Sequence, residues 1–202
     1  SWTTIEKGGV LVGANGQRFG NEDAGYSGFA PDVMAQGEFA WAIYDQRIHD
    51  IATAEEEYAE MSAMGGIRWA RSARELAALA GIDAANLEAT LGDYNAAARR
   101  QRPDVFERTK FELAPLSPPF AIVTVKPGLF HTQGGLMVDA HARVQRPDKT
   151  PIANLFAGGG AAVGISGRSG AGGYASGNGL LTALALGRIG GLRAAQEVRD
   201  EA

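Results

Sequence analysis

Residues 158–179 run Gly158-Gly-Gly-Ala-Ala-Val-Gly-Ile-Ser-Gly-Arg-Ser-Gly-Ala-Gly-Gly-Tyr-Ala-Ser-Gly-Asn-Gly179, with ten glycines in 22 residues, and Leu180-Leu181-Thr182 follows directly. A backbone this rich in glycine either bends through positive φ or is approached closely by another group. Apolar stretches flank it at 152–157 and 180–189, which argues against a low-complexity linker. The order is therefore strand, glycine loop, helix, with the helix N-terminus facing back toward the loop. Free N–H groups, the positive end of the helix dipole and missing Cβ atoms make such a place a receptor for an anionic group. Gly177-Asn178-Gly179 has that form, and a dinucleotide or flavin is its natural guest. Gly170 to Ala175 matches G-x-G-x-x-A. However, it does not open a helix straight after a strand, and no acidic residue follows at the ribose-binding distance. If a dinucleotide binds, its main Rossmann unit lies outside these residues.

Working outward, Gly9–Val12 reads as a strand and Asn15-Gly16 as a hairpin turn. An irregular polar loop is expected over Gly20–Gly28, a helical turn over Pro31–Gln36 and a strand over Phe39–Tyr44. Glu55, Glu56, Glu57 and Glu60 form the solvated face of a helix. Ser72 and Glu75 form a capping box for a helix that Gly81 stops, and Asp83 caps a longer helix presenting Leu87, Leu91 and Tyr94. Residues 50–112 are thus expected to be all helical. Phe120–Val125 and Asn154–Ala157 read as strands. Leu136–Val138 and Val144 read as a hairpin about 139–142, and Leu180–Arg193 as a helix.

The whole chain has 202 residues, 45% hydrophobic and 21% charged, with a net charge of −4. That is enough for a sizeable core and excludes wholesale disorder. An acidic balance leaves no basic footprint for nucleic acid. The absence of cysteine excludes disulfides, thiolate metal sites and cysteine-held iron–sulfur clusters. No apolar run reaches the length of a membrane span, the first residues do not form a signal peptide, and a cytoplasmic location is the expectation.

Among the histidines, His49 and His141 read as surface residues. His131 stands beside Thr132 and a Gly-Gly pair, where side chain and backbone can meet a ligand. Spacings of 82 and 10 residues among the three give no local metal pair. Tyr26, in the polar loop, and Tyr174, inside the glycine run, have little apolar sequence around them. Their hydroxyls are the useful ends, and phenols serve as general acids or bases.

Three strings together resemble one family. Gly9-Val-Leu-Val-Gly-Ala-Asn-Gly-Gln-Arg-Phe-Gly-Asn-Glu22 is similar to the start of the capping domain in the fumarate reductase/succinate dehydrogenase flavoproteins. That family also contains the 3-ketosteroid Δ1-dehydrogenases. His131-Thr-Gln-Gly-Gly-Leu-Met-Val-Asp139 resembles the family's H-T-x-G-G-L segment. Asn154-Leu-Phe-Ala-Gly-Gly-Gly160, Ser176-Gly-Asn-Gly-Leu-Leu181 and Gly187-Arg-Ile-Gly-Gly191 resemble its flavin-contacting end. The likeness covers nearly the whole sequence.

The resemblance implies an α+β fold: the capping domain of a flavoprotein plus the C-terminal portion of a Rossmann-type FAD-binding domain. Residues 1–8 would connect from the FAD domain, 9–120 form the cap and 121–202 return to the FAD domain. A second chain or a further N-terminal segment would carry the G-x-G-x-x-G unit. FAD is the implied cofactor, contacted by Gly159, Gly160, Gly177, Asn178, Leu180 and Leu181.

Fumarate-reducing members carry an arginine in the cap loop and a second arginine four residues before the flavin-loop asparagine. Here those positions hold Tyr26 and Tyr174. Loss of two planar cations removes bidentate carboxylate recognition. The site residues are closer to those of the ketosteroid dehydrogenases, so the implied substrate is a small carbonyl compound. Tyr26 would take the proton from the carbon next to the carbonyl, Tyr174 and the backbone near Gly179 would hold the carbonyl oxygen, and His131 and Thr132 would orient substrate or flavin. Arg168 offers an alternative clamp for a carboxylate substrate. A third reading is a non-catalytic assembly module.

Overall fold

The computed structural model describes residues 1–128, 133–166 and 177–200. They fall into two compact units, Ser1–Pro127 and Gly128–Ala202. The break lies later than the expected boundary after residue 120, and residues 1–8 belong to the first unit.

The first unit is built on a four-stranded antiparallel sheet. Its strands are Val10–Val12 (β1), Ala40–Asp45 (β2), Arg68–Ala70 (β3) and Phe120–Val125 (β4), in the order β1-β2-β4-β3. Ala40 to Asp45 of β2 lie opposite Val125 to Phe120 of β4. These central strands are near-continuous apolar runs because both faces are covered. Ile43, Ala121 and Ile122 are fully buried. A short helix Thr3–Glu6 (α1) precedes β1, and Gly25–Met34 (α2) connects it to β2. Gln46–Ala52 (α3) and Glu56–Ala63 (α4) follow β2. Asp45 ends β2 and caps α3, its carboxylate accepting from the Arg47 and Ile48 backbone N–H groups.

Residues 50–112 are not all helical: β3 pairs with β4 across about 50 intervening residues. The helical part proper is the hairpin Ala73–Ala80 (α5) and Ala84–Ala98 (α6). Its chemistry follows the sequence. Ser72 Oγ accepts from Glu75 N, Gly81 closes α5 at φ +70°, and Asp83 accepts from Asn86 N at 2.7 Å. Leu76, Ala77, Leu87, Leu91 and Tyr94 turn into the core.

The Asn15-Gly16 turn does not make a hairpin, since β1 pairs with β2 instead. Its carbonyls are taken by α6: Asn86 Nδ2 donates to Asn15 O and Thr90 Oγ1 to Gly16 O. His49 is not simply a surface residue. It is half-buried on α3, joined through Nδ1 to the Tyr58 hydroxyl at 2.8 Å, and it meets the edge of Trp69.

In the second unit, Arg143–Gln145 (β5) pairs antiparallel with Pro151–Phe156 (β6). The expected hairpin about residues 139–142 survives as one bridge, Val138 to Val144, and Asp139 accepts from the His141 and Arg143 N–H groups. A 3-10 turn, Gly159–Ala161, leads on from β6, and Asn178–Asp200 forms α7. Among the described residues no helix is long and apolar enough to cross a membrane.

Candidate functional site

Tyr26 stands in the first turn of α2, not in an irregular loop, and is 45% exposed. The turn before it is fixed residue by residue. Asn21 accepts from Asp23 N. Glu22 accepts from Leu11 N at 3.2 Å and from Arg18 Nε at 3.0 Å. Asp23 Oδ2 takes three donors: Thr109 N at 2.8 Å, Thr109 Oγ1 at 3.0 Å and Lys110 N at 3.1 Å. Gly25 then turns the chain at φ +75°, a conformation that side chains rarely adopt. Beyond Tyr26, the buried rings and branches of Phe29 and Val33 hold α2 to the core. Phe29 stacks on Phe19 at 5.2 Å, and a Cβ at Gly20 would stand 2.7 Å from the Phe29 ring.

Beneath this turn lies a buried ionic cluster. The Arg18 guanidinium joins Glu22 and Asp104 and lies over the Tyr94 and Phe106 rings at 5.0 and 5.3 Å. Arg108 donates to the carbonyls of Lys110, Gly9 and Ile5, each at 2.8 Å, and its Nη1 is 3.4 Å from Glu22. Burial disfavours the charged guanidinium of Arg18, but the two carboxylates outweigh it and raise its pKa further above the ordinary value. Burial likewise opposes ionisation of Asp104. The hydrogen bond and charge of Arg18 and the Arg108 and Phe106 N–H groups nevertheless hold its carboxyl below the usual range. Asp23 behaves the same way: burial is overcome by the Thr109 and Lys110 donors and the charge of Arg108. Desolvation drives the Tyr94 phenol up, and its hydroxyl donates to Gly8 O at 2.9 Å. The result is a turn tied to a network in which the charged forms of Arg18, Asp23 and Asp104 are favoured.

In the second unit the glycine-rich turn after β6 sits on α7. A Cβ at Gly158 would be 3.0 Å from Leu186 Cβ, and one at Gly159 would be 3.2 Å from Ala183 Cβ. Segment 133–138 lies alongside this turn. Leu136 N donates to Ala161 O, Val163 N to Leu136 O and Gly164 N to Gln133 O, and a Cβ at Gly135 would collide with the Ala162 backbone at 2.5 Å. At the start of α7 the Asn178 amide is buried and donates to Ser166 Oγ, while the Thr182 hydroxyl donates to Asn178 O at 2.9 Å. Among the described residues, Cβ atoms at Gly160, Gly177 and Gly179 would meet nothing within 4 Å. Leu180 and Leu181 are exposed beside them. Gly159, Gly160, Gly177, Asn178, Leu180 and Leu181 are the residues expected to hold a flavin, and Gly179 lies beside them.

Tyr174, His131, Thr132 and Arg168 lie outside the described residues. The sequence reading missed Asp23, Asp104, Arg108 and Thr109. Asp23 belongs to the polar Asn21-Glu22-Asp23 string, but its partners Thr109 and Lys110 are more than 80 residues away.

Residues 4–180 match the family described as "FAD binding domain", so the chain belongs to that family, whose cofactor is FAD. The NADH:fumarate oxidoreductase of Klebsiella pneumoniae (strain 342) is 32% identical over 194 residues, covering 95% of this chain and 20% of that protein. The 4-oxocyclohex-2-ene-1-carboxylate 5-dehydrogenase of Sinomonas cyclohexanicum is 30% identical, covering 94% and 35%. The open conformation of a flavocytochrome c3 fumarate reductase superposes with a TM-score of 0.67 at 26% identity, covering 97% of this chain and 34% of that one. The 3-ketosteroid Δ1-dehydrogenase of Sterolibacterium denitrificans has a TM-score of 0.72 at 23% identity, covering 97% and 40%, a likeness of fold. The chain spans between a fifth and about a third of the length of these two curated relatives.

Proposed function

We propose that this chain is the capping part and the C-terminal flavin-contacting part of an FAD-dependent oxidoreductase. Its reaction is desaturation of the carbon–carbon bond next to a carbonyl, or the reverse reduction. The observation that carries the reading is Tyr26: a phenol, rather than a guanidinium, is presented to solvent from a turn that a buried ionic cluster holds fixed. FAD, when bound, supplies the hydride acceptor or donor. Tyr26 moves the proton at the carbon next to the carbonyl. Tyr174 and the backbone N–H near Gly179 hold the carbonyl oxygen, where preorganised donors stabilise developing negative charge. His131 and Thr132 orient the substrate.

The test is Tyr26→Phe in the FAD-loaded enzyme, assayed with a cyclic ketone or enone and an artificial electron carrier. General acid–base catalysis contributes about 100-fold or more, so kcat falls by at least that factor while the flavin spectrum is unchanged. Wild-type turnover in Tyr26→Phe would overturn the reading.

A second reading, reduction of an unsaturated carboxylate, draws support from the fumarate reductase relatives. Arg168 then clamps the carboxylate. An absolute need for a substrate carboxylate, lost in Arg168→Gln, selects it. The Sinomonas relative is named for a compound bearing both a ketone and a carboxylate, which makes that compound a suitable first substrate to test. In the third reading the chain is an assembly module without catalysis, and purified FAD-loaded protein would turn over neither substrate class.

A further inference from the structure

We propose that Asp23 is the positioning residue for Tyr26, acting through the Thr109–Lys110 segment. The inference rests on the proton-transfer role of Tyr26 given above. Gly25 stands between the two, and a Cβ there would meet nothing within 4 Å. Gly25 itself contributes no side-chain packing where the chain swings from the 3-10 turn Glu22–Ala24 into α2. Phe29 and Val33 hold the body of α2 to the core, and polar ties fix the turn on its N-terminal side. Glu22 faces inward to Arg18 and Leu11 N. Asp23 gathers Thr109 N, Thr109 Oγ1 and Lys110 N on one oxygen. The 104–110 segment is itself immobilised. Asp104 Oδ1 accepts from Phe106 N and Arg108 N, and Arg108 reaches the carbonyls of Gly9 and Ile5. Asp23 is thus a strap from a rigid loop to the residue three places before the phenol. Only part of the strap is exposed: the Asp23 side chain is 18% accessible. Its other charged neighbour is Arg108, whose Nε lies 3.8 Å from Asp23 Oδ1.

The experiment uses the FAD-loaded enzyme with Asp23→Asn and the milder Thr109→Val, which removes a single hydroxyl. Misplacement of a reacting group by about 1 Å costs up to about 100-fold in rate. The expectation is a kcat lowered about 10-fold to 100-fold in Asp23→Asn with KM nearly unchanged. The deuterium isotope effect at the carbon losing its proton becomes larger, and Thr109→Ser restores what Thr109→Val loses. The decisive arm is the double variant. In a Tyr26→Phe background Asp23→Asn has no further effect, because the group it positions is gone. An equal fold-loss in both backgrounds means a general structural role and overturns the inference. So does a wild-type kcat in Asp23→Asn and Thr109→Val alongside an inactive Tyr26→Phe, an outcome that leaves the proposed function standing. Full activity in Tyr26→Phe overturns the proposed function itself.

Discussion

Glu22→Gln probes the buried cluster with almost no change of shape. The Glu22 side chain is 0% exposed, and its two oxygens serve Leu11 N, Arg18 Nε and Arg18 Nη2, with Arg108 Nη1 3.4 Å away. Glutamine keeps one of those oxygens as an acceptor. Its amide NH2 then faces Arg18 in either orientation, meeting Nη2 at one position or Nε together with Leu11 N–H at the other, donor against donor, and one negative charge is removed from between two cations. Breaking a buried ion pair by removing one partner costs about 3–5 kcal/mol. At about 0.05–0.15 kcal/mol per residue, the 127 residues of the first unit are worth roughly 6–19 kcal/mol in total. The substitution therefore removes a large share of the unit's stability. At roughly 3–5 °C per kcal/mol it lowers the melting temperature by about 9–25 °C. Calorimetry and urea titration measure this, with Glu88→Gln as the control. Glu88 pairs with Arg74 at 3.1 Å on the surface, with side chains 45% and 73% exposed, and such pairs contribute about 0–1 kcal/mol. A shift for Glu22→Gln no larger than that for Glu88→Gln would show that the cluster does not hold the unit together.

Two other outcomes follow from the same chemistry. Asp23 and Asp104 have carboxyl pKa values below those of the unfolded chain, so the unfolded state takes up protons first as the pH falls. Their stabilisation is complete above about pH 5 and is lost as the pH drops through the folded values. Urea midpoints should decline on acidification in the wild type and less steeply in Asp104→Asn; parallel curves would contradict the assignment. Tyr58→Phe removes the hydroxyl that bridges Tyr44 at 2.7 Å and His49 at 2.8 Å. It leaves the Tyr44 hydroxyl, on a side chain 1% exposed, without that partner, at a cost of about 1–3 kcal/mol read by urea titration. A neutral result would mean that the Tyr44 hydroxyl finds another partner.

Local chemistry was the legible part. Ser72, Gly81 and Asp83 place the ends of α5 and α6 because each cap acts on backbone within three or four residues. Leu87, Leu91 and Tyr94 recur at helical spacing and are buried as that spacing requires. The glycines at 158–160 mark the turn that rests on α7. What sequence did not show is what depends on distant partners. Arg68-Trp69-Ala70 is a strand only because Phe120–Ile122 lies beside it, so three residues in a helical region carried no signal of their own. The stretch holding Tyr26 contains Gly25, Gly28 and Pro31 and has poor helix propensity. It is helical because Phe29 and Val33 are drawn into the core. Arg18, Asp104 and Arg108 look like solvated charges along the chain and become a buried cluster only when residues 86 and more apart are brought together. On the candidate site, the order of glycine-rich loop and following helix was readable, as α7 beginning at Asn178 shows. The support under Tyr26 was not.

The division into two compact units has a spectroscopic consequence. The three tryptophans of the sequence, Trp2, Trp41 and Trp69, all belong to Ser1–Pro127, and each is partly buried against its core. Gly128–Ala202 contains none. Emission excited at the red edge of the indole band is therefore a private signal of the first unit. Far-ultraviolet ellipticity, to which α7 contributes 23 helical residues, reports both. Non-coincident transitions by the two probes would mean that the units melt separately. The natural sequence thus carries its own label, with no dye and no engineered residue.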